Sequence, residues 1–272
     1  MSPVVQRRVV VTGLGIICPV GLSVDEAWAN ILAGNSGIRP ITSFDVSDFP
    51  VRFGGTIEGF DVTEYVSKKD ARKMDTFIHY GVAAGTQALR DAGLEITEQN
   101  AERIGVSVGS GIGGLPGIEK NYAAYLQGGP RKISPFFVPA NIINMISGNL
   151  SIMYGIKGTN IAMVTACTTG THSIGEAARI ITYGDADVML AGGMENMSLI
   201  PYAIPAARWG DAERTVVRRT ATKLPILQTY RSDPTRPASR SESCPLPSES
   251  PTRRCSPTTN RSGPPGSCRD RR

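Results

Sequence analysis

Residues 160–193 read NIAMVTACTTGTHSIGEAARIITYGDADVMLAGG, and this stretch predicts a strand, a helix and a second strand in succession. NIAMVTAC is a mostly apolar run that ends at Cys167, and DVMLAGG is typical of a strand buried on both faces. Between them, apolar residues recur along one helix face, at Ile174, Ala177, Ala178 and Ile181. Strands that alternate with helices in this way predict an α/β fold with a mostly parallel sheet.

The same alternation extends towards the N-terminus. The predicted elements are a strand at 8–12, a capped helix from Ser23 to Leu32, a long helix from about Asp70 to Ala92 closed by Gly93, a strand and glycine turn in RIGVSVGSG (103–111), and helices at about 117–127 and 139–154. Residues 40–66 fit neither pattern. Together these elements predict one layered domain.

The composition changes abruptly after about residue 210. Of the 29 Lys+Arg and 24 Asp+Glu residues, 13 and 6 lie in 211–272, so the body carries −2 and the last 62 residues carry +7. A segment so poor in apolar residues cannot bury enough surface to offset its ordering entropy. We therefore predict a folded domain over 1–210 and a disordered Arg/Ser/Pro/Thr-rich tail over 211–272. The hypothesis that the tail is a non-native reading frame is tested by the coding DNA.

Cysteine usage favours a reducing compartment. Cys18 and Cys167 lie in the body, and the three tail cysteines lack metal-ligand spacing. The apolar run near the N-terminus is broken by Gly13 and Gly15, and no stretch approaches 18 uninterrupted apolar residues. The expectation is a cytoplasmic protein with no metal site and no membrane segment.

Cys167 is the candidate nucleophile because it lies where an apolar strand meets the start of a helix. Unpaired N–H groups at a helix N-terminus carry partial positive charge and favour a thiolate. The same groups can hold the oxyanion of a thioester intermediate. Thr168, Thr169 and Gly170 are small enough to admit an acyl chain. From the residues alone, a buried structural cysteine remains the alternative interpretation.

Several motifs around this cysteine resemble those of the β-ketoacyl–acyl carrier protein synthases, most closely the type II elongation enzymes. The resemblance is carried by the segment from VTAC to AGG, and by RRVVVTGLGIICPVG (7–21), KKDARKMDTFIHYGVAAGTQALRDAGL (68–94), IGVSVGSGIGGL (104–115) and ISPFFVPANIINM (133–145). It covers about residues 7–193 without a large gap. It implies the N-terminal half of a thiolase-like fold, a homodimer, and a two-step reaction in which an acyl group moves to the cysteine and condenses with malonyl–acyl carrier protein as CO2 leaves.

The resemblance also implies roles for particular residues. Cys167 corresponds to the acyl acceptor, Ile112 to the gate of the acyl pocket and Phe137 to a pocket residue at the dimer interface. A basic patch that docks the acidic carrier protein corresponds to Lys69, Arg72 and Lys73, for which a solvated helix end is the plainer interpretation. No dissociable cofactor is implied, because phosphopantetheine arrives on the carrier protein.

The chain departs from the family in two respects. Its two histidines, His79 and His172, match neither of the family's catalytic histidines, so we predict packing or hydrogen-bonding roles for them and little or no condensation activity. The catalytic histidines of the family are expected beyond residue 272. Residues 192–210, GGMENMSLIPYAIPAARWG, resemble thiolases instead, with the thiolase-like stretch spanning about 187–210.

Other functions compete with the synthase hypothesis. A thiolase acting on acyl-CoA would share Cys167, and a half-fold without catalysis could bind carrier protein or a partner subunit. GSGIGG at 109–114 fits a dinucleotide-binding pattern, but Pro116 and the absence of a following acidic ribose ligand make it weak. Binding of nucleic acid by the arginine-rich tail is expected to be non-specific.

Overall fold

The computed structural model describes residues 7–47, 51–197 and 226–232. The strands are β1 (Val9–Ile16), β2 (Ile38–Pro40), β3 (Phe53–Gly55), β4 (Ile104–Gly109), β5 (Asn160–Ile161), β6 (Val188–Gly193) and β7 (Ile226–Ser232). The α-helices are α1 (Val24–Leu32), α2 (Lys68–Ala71), α3 (Thr76–Asp91), α4 (Leu115–Gly128), α5 (Phe137–Asn141), α6 (Met145–Tyr154) and α7 (Thr169–Tyr183). Short 3₁₀ turns lie at 62–64, 101–103, 130–132 and 166–168.

The main sheet has the strand order β1-β7-β6-β4-β5, while β2 and β3 pair separately. β4 is parallel to both β5 and β6, and β7 is antiparallel to both β1 and β6. β1, β6, β4 and β5 therefore run in one direction and β7 in the other. The predicted α/β fold with a mostly parallel sheet is confirmed.

Two apolar cores lie on opposite faces of this sheet, because side chains alternate along a strand. Val106, Val108 and Leu190 of the central strands pack into one core with residues of α3 and α6. Met189 and Ala191 join the second core with residues of α7. All six residues of β4 and all six of β6 are buried, which explains why these strands read as continuous apolar runs rather than alternating ones.

Several predicted helices are confirmed and one is divided. Ser23 caps α1, accepting from the Glu26 amide at 3.3 Å, and α7 occupies the stretch predicted for it. The long helix expected from Asp70 to Ala92 consists of α2 and α3, separated at residues 72–75. Asp75 explains the break, because its carboxylate caps α3 by accepting from the Phe77 amide.

Two further boundaries differ from the sequence predictions. The helix expected over 139–154 is divided into α5 and α6, with Ile142 in an extended conformation. The strand expected to end at Cys167 is limited to Asn160–Ile161. The Ser147 hydroxyl of α6 lies 3.0 Å from the Val108 carbonyl oxygen and 2.9 Å from that of Ile161. This hydroxyl takes the place of further hydrogen bonds between the strands, so the pairing of β5 with β4 is short.

One element lies where the sequence predicts a disordered tail. β7, at 226–232, stands between β1 and β6 and pairs with both. Its ILQTYRS sequence contains the β-branched and aromatic residues that favour strands, and it satisfies backbone groups of β1 and β6. The rest of 211–272 and the predicted boundary at residue 210 lie outside the described residues. Among the described residues, no helix combines the length and apolar character needed to cross a membrane.

Candidate active site

Cys167 lies in the 3₁₀ turn Ala166–Thr168 that leads directly into α7. Ala166, which precedes it, has φ +50°, a left-handed conformation that costs a non-glycine residue about 1 kcal/mol. Cys167 is exposed, whereas Cys18 is buried and the pKa of its thiol is raised mainly by that burial. The turn therefore presents the Cys167 thiol to solvent, and the interpretation of Cys167 as a buried structural cysteine does not apply.

The N-terminus of α7 follows directly after this thiol. Thr168 is the N-cap residue, and the hydroxyl of Thr169 accepts from the Thr165 amide at 2.9 Å, fixing the turn against the helix. A helix N-terminus carries partial positive charge, although the amides of Thr168 and Thr169 already donate to the carbonyls of Thr165 and Ala166. The arrangement favours an anion at the sulfur or at an oxygen bound beside it.

Three glycines allow this helix end to approach the carboxyl ends of the parallel strands. A Cβ on Gly193 would lie 2.8 Å from the Gly170 Cα, and one on Gly109 would lie 2.6 Å from the Thr169 Cγ2. Both distances are shorter than real Cβ contacts. The absence of side chains at Gly109 and Gly193, the last residues of β4 and β6, is therefore what lets α7 bring Cys167 to the carboxyl edge of the sheet.

The loop after β4 lies beside the nucleophile turn and carries Ile112. The Glu195 carboxylate accepts from the amides of Gly111 and Ile112, at 2.6 and 3.1 Å. A Cβ on Gly111 would lie 3.2 Å from the Ala166 Cα, so the loop and the turn are in contact. Ile112 is 44% exposed. The structure thus brings Ile112 and Cys167, both predicted from sequence, to one side of the molecule.

The same loop has the strand–loop–helix setting that a dinucleotide-binding motif requires. However, the amides of Gly111 and Ile112, which such a motif would offer to a phosphate, already bind the Glu195 carboxylate. A phosphate would have to displace this anion and would be repelled by it. The glycine pattern is better explained by the close approach of the loop to Ala166.

Phe137 lies on the other side of the loop, at the start of α5. The Gly114 amide donates to the Asn141 carbonyl at 3.0 Å, and the Asn141 side chain donates to the Phe137 carbonyl. Phe137 is half-buried. α5 therefore supports the loop that carries Ile112, although no contact between Phe137 and Cys167 follows from this arrangement.

The basic residues predicted to dock a carrier protein lie on and just after α2. Lys69 and Arg72 are exposed. Lys73 forms an ion pair with Asp70 at 2.7 Å, and its ammonium lies 5.7 Å from the centre of the Phe136 ring. The hydrogen bond from Lys73 is the main reason that the pKa of Asp70 is lowered. The Asp70 charge offsets that of Lys73, so Lys69 and Arg72 are the more available cations.

Asp75 connects this basic segment to the loop side, and sequence reasoning missed its role. Its carboxylate accepts from the Gly117 amide of α4 at 3.0 Å, and its own amide donates to the Ala140 carbonyl of α5 at 3.2 Å. Burial raises the pKa of Asp75. A capping pattern could have identified Asp75 as a helix start, but not its contacts with α4 and α5.

The two histidines both make local contacts. His79 Nε2 lies 2.9 Å from the Ala71 carbonyl oxygen, which ties α3 to α2. His172 Nδ1 lies 3.3 Å from the Thr165 hydroxyl, and its side chain is exposed on the first turns of α7. These contacts agree with the hydrogen-bonding roles expected from the sequence.

Comparison with known proteins relates this site to one family. The family described as Beta-ketoacyl synthase, N-terminal domain, matches residues 6–207, which include most of the stretch that resembles thiolases. A relative named 3-oxoacyl-[acyl-carrier-protein] synthase 2 from Vibrio cholerae is 62% identical over 193 residues, covering 71% of this chain and 47% of the relative. A relative of the same name from Coxiella burnetii is 54% identical, with the same coverage. The chain spans about half the length of these curated relatives.

Solved structures share the fold. A type II polyketide acyl carrier protein in complex with its ketosynthase has a TM-score of 0.64 at 25% identity, covering 84% of this chain and 63% of that chain. A β-ketoacyl synthase from Burkholderia phymatum has a TM-score of 0.65 at 24% identity, covering 84% of this chain and 60% of that chain. The thiolase-like fold predicted from the sequence is confirmed.

Proposed function

The chain belongs to the β-ketoacyl synthase family, and we propose that Cys167 accepts an acyl group from an acyl carrier protein in a condensing reaction of fatty-acid synthesis. The observation that carries this proposal is the exposed thiol in a strained turn at the N-terminus of α7. A nucleophile so placed is accessible to a thioester and lies at a helix N-terminus, whose partial positive charge favours the negative charge that develops.

The acyl transfer balances as a thioester exchange. The Cys167 thiolate attacks the carbonyl carbon of the acyl–phosphopantetheine thioester, and the electron pair moves to the carbonyl oxygen. When the carbonyl re-forms, the bond to the carrier sulfur breaks and the carrier thiolate leaves, taking up a proton. The partial positive charge at the N-terminus of α7 favours the oxyanion.

The second step is the condensation itself. A malonyl thioester loses CO2, and the resulting carbanion attacks the carbonyl of acyl–Cys167, which releases the thiol and forms a 3-ketoacyl product. We predict that this step is impaired here, because the two histidines, which contact Ala71 and Thr165, match neither of the catalytic histidines that the family resemblance implies. If malonyl–carrier protein removed the acyl group from Cys167 stoichiometrically and formed a 3-ketoacyl product, that prediction would be contradicted.

Ile112 and Phe137 are proposed to shape the acyl site. The half-exposed Ile112 side chain lies on a loop in contact with the residue before Cys167. Phe137 begins the helix that holds the other end of this loop. An acyl chain that extends from the Cys167 sulfur would meet apolar surface from these two elements, which favours burial of its methylene groups.

Carrier-protein docking is proposed for the basic patch, defined as Lys69, Arg72 and Lys73. One structural relative contains a carrier protein in complex with its ketosynthase. We expect Lys69→Glu with Arg72→Glu to slow acylation from a carrier protein but not from the corresponding acyl-CoA. Arg90→Glu is the matched control, because this exposed arginine lies in the last turn of α3, at the opposite end from the patch. Equal slowing with both donors would contradict docking at this patch.

The homodimer implied by the family remains a proposal, supported by an exposed apolar surface on α4, α5 and α6. Its members are Ile118, Tyr122, Tyr125, Leu126, Val138, Ile152 and Met153. Such a surface is typical of one that a partner covers. A molecular mass by light scattering that stays monomeric at high concentration would argue against it. A cytoplasmic location is also proposed, since the reaction needs Cys167 in its reduced form.

The decisive experiment is intact-protein mass spectrometry of the full chain after incubation with acyl–carrier protein, with peptide mapping of any adduct. We expect one acyl mass on Cys167 and none on the buried Cys18, and no adduct on Cys167→Ser. Acylation from acyl-CoA in preference to carrier protein would support the thiolase alternative. Binding of carrier protein without acylation, on protein shown to be folded, would support the non-catalytic alternative.

A further inference from the structure

Glu195 is a charged residue next to the candidate nucleophile that the proposed chemistry does not use. Its two carboxylate oxygens contact the segment 110–112: one accepts from Gly111 and Ile112, and the other lies 3.4 Å from the Ser110 hydroxyl. Successive backbone amides that converge on one anion form a nest. Here the nest binds a carboxylate of the same chain, because Glu195 lies 84 positions after Gly111 and 83 positions after Ile112.

The position of Glu195 is fixed by the sheet. It follows β6 by two residues, and the Met194 amide between them donates to the Gly109 carbonyl at 3.0 Å. Met194 itself is only 2% exposed. The backbone of Glu195 is therefore held by the parallel pair β4–β6. If segment 110–112 moved, the carboxylate would not move with it.

Further hydrogen bonds among the described residues hold the loop beyond Ile112. The Ser110 hydroxyl accepts from the Gly113 amide at 3.0 Å, and Gly114 is held by α5. Among the hydrogen bonds found in the described residues, those of the Gly111 and Ile112 amides go to Glu195. The backbone that carries the Ile112 side chain is thus placed against Ala166 by this carboxylate.

We propose that Glu195 is a positioning residue that sets the place of Ile112 relative to Cys167 and thereby the acyl-chain preference of the thiol. This inference rests on the proposed function for its specificity, but its structural part does not depend on acylation. Without the acceptor, two amides lose their partners and the loop is free to move away from Ala166. On the proposed function, long acyl chains pass Ile112 and are then affected more than an acetyl group, which does not reach it.

Three variants separate hydrogen bonding from charge. In Glu195→Gln, the amide oxygen can still accept from the two amides and the amide nitrogen can donate to the Ser110 hydroxyl, so the loop should keep its place. Glu195→Ala removes the acceptor. Glu176→Ala is the matched control, since it removes a glutamate on α7 whose ion pair, within the described part of the chain, is with Arg179 at 3.6 Å.

The experiment compares acylation of the full chain by acetyl–carrier protein and dodecanoyl–carrier protein, followed by mass spectrometry. We expect Glu195→Ala to change the ratio of the two rates about tenfold, while Glu195→Gln and Glu176→Ala stay within about twofold of the parent. Alkylation of Cys167 by iodoacetamide should proceed at similar rates in all four proteins, which shows that the thiol and its turn are intact. An unchanged ratio in Glu195→Ala, or a Glu195→Gln variant that behaves like Glu195→Ala, would overturn the proposal.

Hydrogen exchange at the loop provides a readout that does not require activity. We expect the amides of Gly111 and Ile112 to exchange about tenfold or more faster in Glu195→Ala than in the parent chain, with β4 unchanged. Unchanged exchange at these amides would refute the positioning role even if the parent chain is not acylated. Suppose instead that exchange is faster in Glu195→Ala but no acyl donor modifies the parent chain. That result would refute the proposed function and support the positioning of the loop by Glu195.

Discussion

The contact between Gly170 and Gly193 offers a sharp test of how the nucleophile is positioned, because the two glycines meet asymmetrically. A Cβ on Gly193 would lie 2.8 Å from both the Cα and the nitrogen of Gly170. A Cβ on Gly170 would lie 3.4 Å from the Gly193 nitrogen and 3.7 Å from its Cα, which is ordinary contact. The same substitution at the two partners of one contact should therefore have opposite effects.

The magnitudes follow from packing and helix propensity. Gly193→Ala forces backbone against backbone, so α7 must move by several tenths of an ångström, and we expect a loss of about 1–3 kcal/mol in the free energy of unfolding. Gly170→Ala meets no such obstacle and gains up to about 1 kcal/mol from the higher helix propensity of alanine, less in a first turn. The free energies of unfolding of the two variants should differ by about 1–4 kcal/mol.

Urea unfolding of each variant, followed by circular dichroism, measures this difference directly. Alkylation of Cys167 by iodoacetamide at zero denaturant then reports whether the displaced helix has changed the thiol's surroundings. We expect a change in the rate for Gly193→Ala and none for Gly170→Ala. Equal stabilities for the two variants, or a neutral Gly193→Ala, would show that β6 and α7 are not packed as closely as described and would refute the reasoning.

Two further predictions concern stability away from the thiol. Hydrogen bonding to Arg103 is the main cause of the lowered pKa of Asp187, so this carboxylate stabilises the fold above its ordinary pKa of 3.8 and loses that contribution as the pH falls below it. Because the pair is partly exposed, Asp187→Asn should cost about 1 kcal/mol or less by urea unfolding at neutral pH, and nothing in strong acid. Gly15→Ala would place a Cβ 1.9 Å from the Ala84 carbonyl oxygen and should destabilise by about 3 kcal/mol, whereas Gly175→Ala, in open space on α7, should stabilise by up to about 1 kcal/mol in the same assay.

The elements around the site were predictable where their pattern is local. Buried apolar runs identify β4 and β6, and the apolar face of α7 fixes the helix that follows Cys167. The same kind of run misleads at 160–167, because a short apolar stretch does not reveal whether the chain stays in the sheet or leaves it after Ile161. The pattern reports burial, and burial alone does not specify hydrogen-bond partners.

The features that sequence reasoning missed depend on partners far along the chain. Asp75 divides a continuous helical pattern, and its carboxylate also binds Gly117, 42 residues later. Glu195 binds amides more than 80 residues earlier. β7 is a modest strand sequence whose place between β1 and β6 is set by the backbone groups available there. Each of these features depends on hydrogen bonds between residues far apart in the chain, for which a sequence carries no periodic signal.

The register between β4 and β6 connects the separate parts of the candidate site. Gly109 pairs with Gly193 at the carboxyl end of this parallel ladder, so the chain leaves both strands at the same level. The loop that carries Ile112 therefore emerges beside the segment that carries Glu195, and both face the start of α7. Because strand side chains alternate, a slip of one residue would direct Met194 or Asn196 towards the loop amides in place of the carboxylate. The observed register places the carboxylate there, and so the pairing of β4 with β6 also determines which residue anchors the loop beside Cys167.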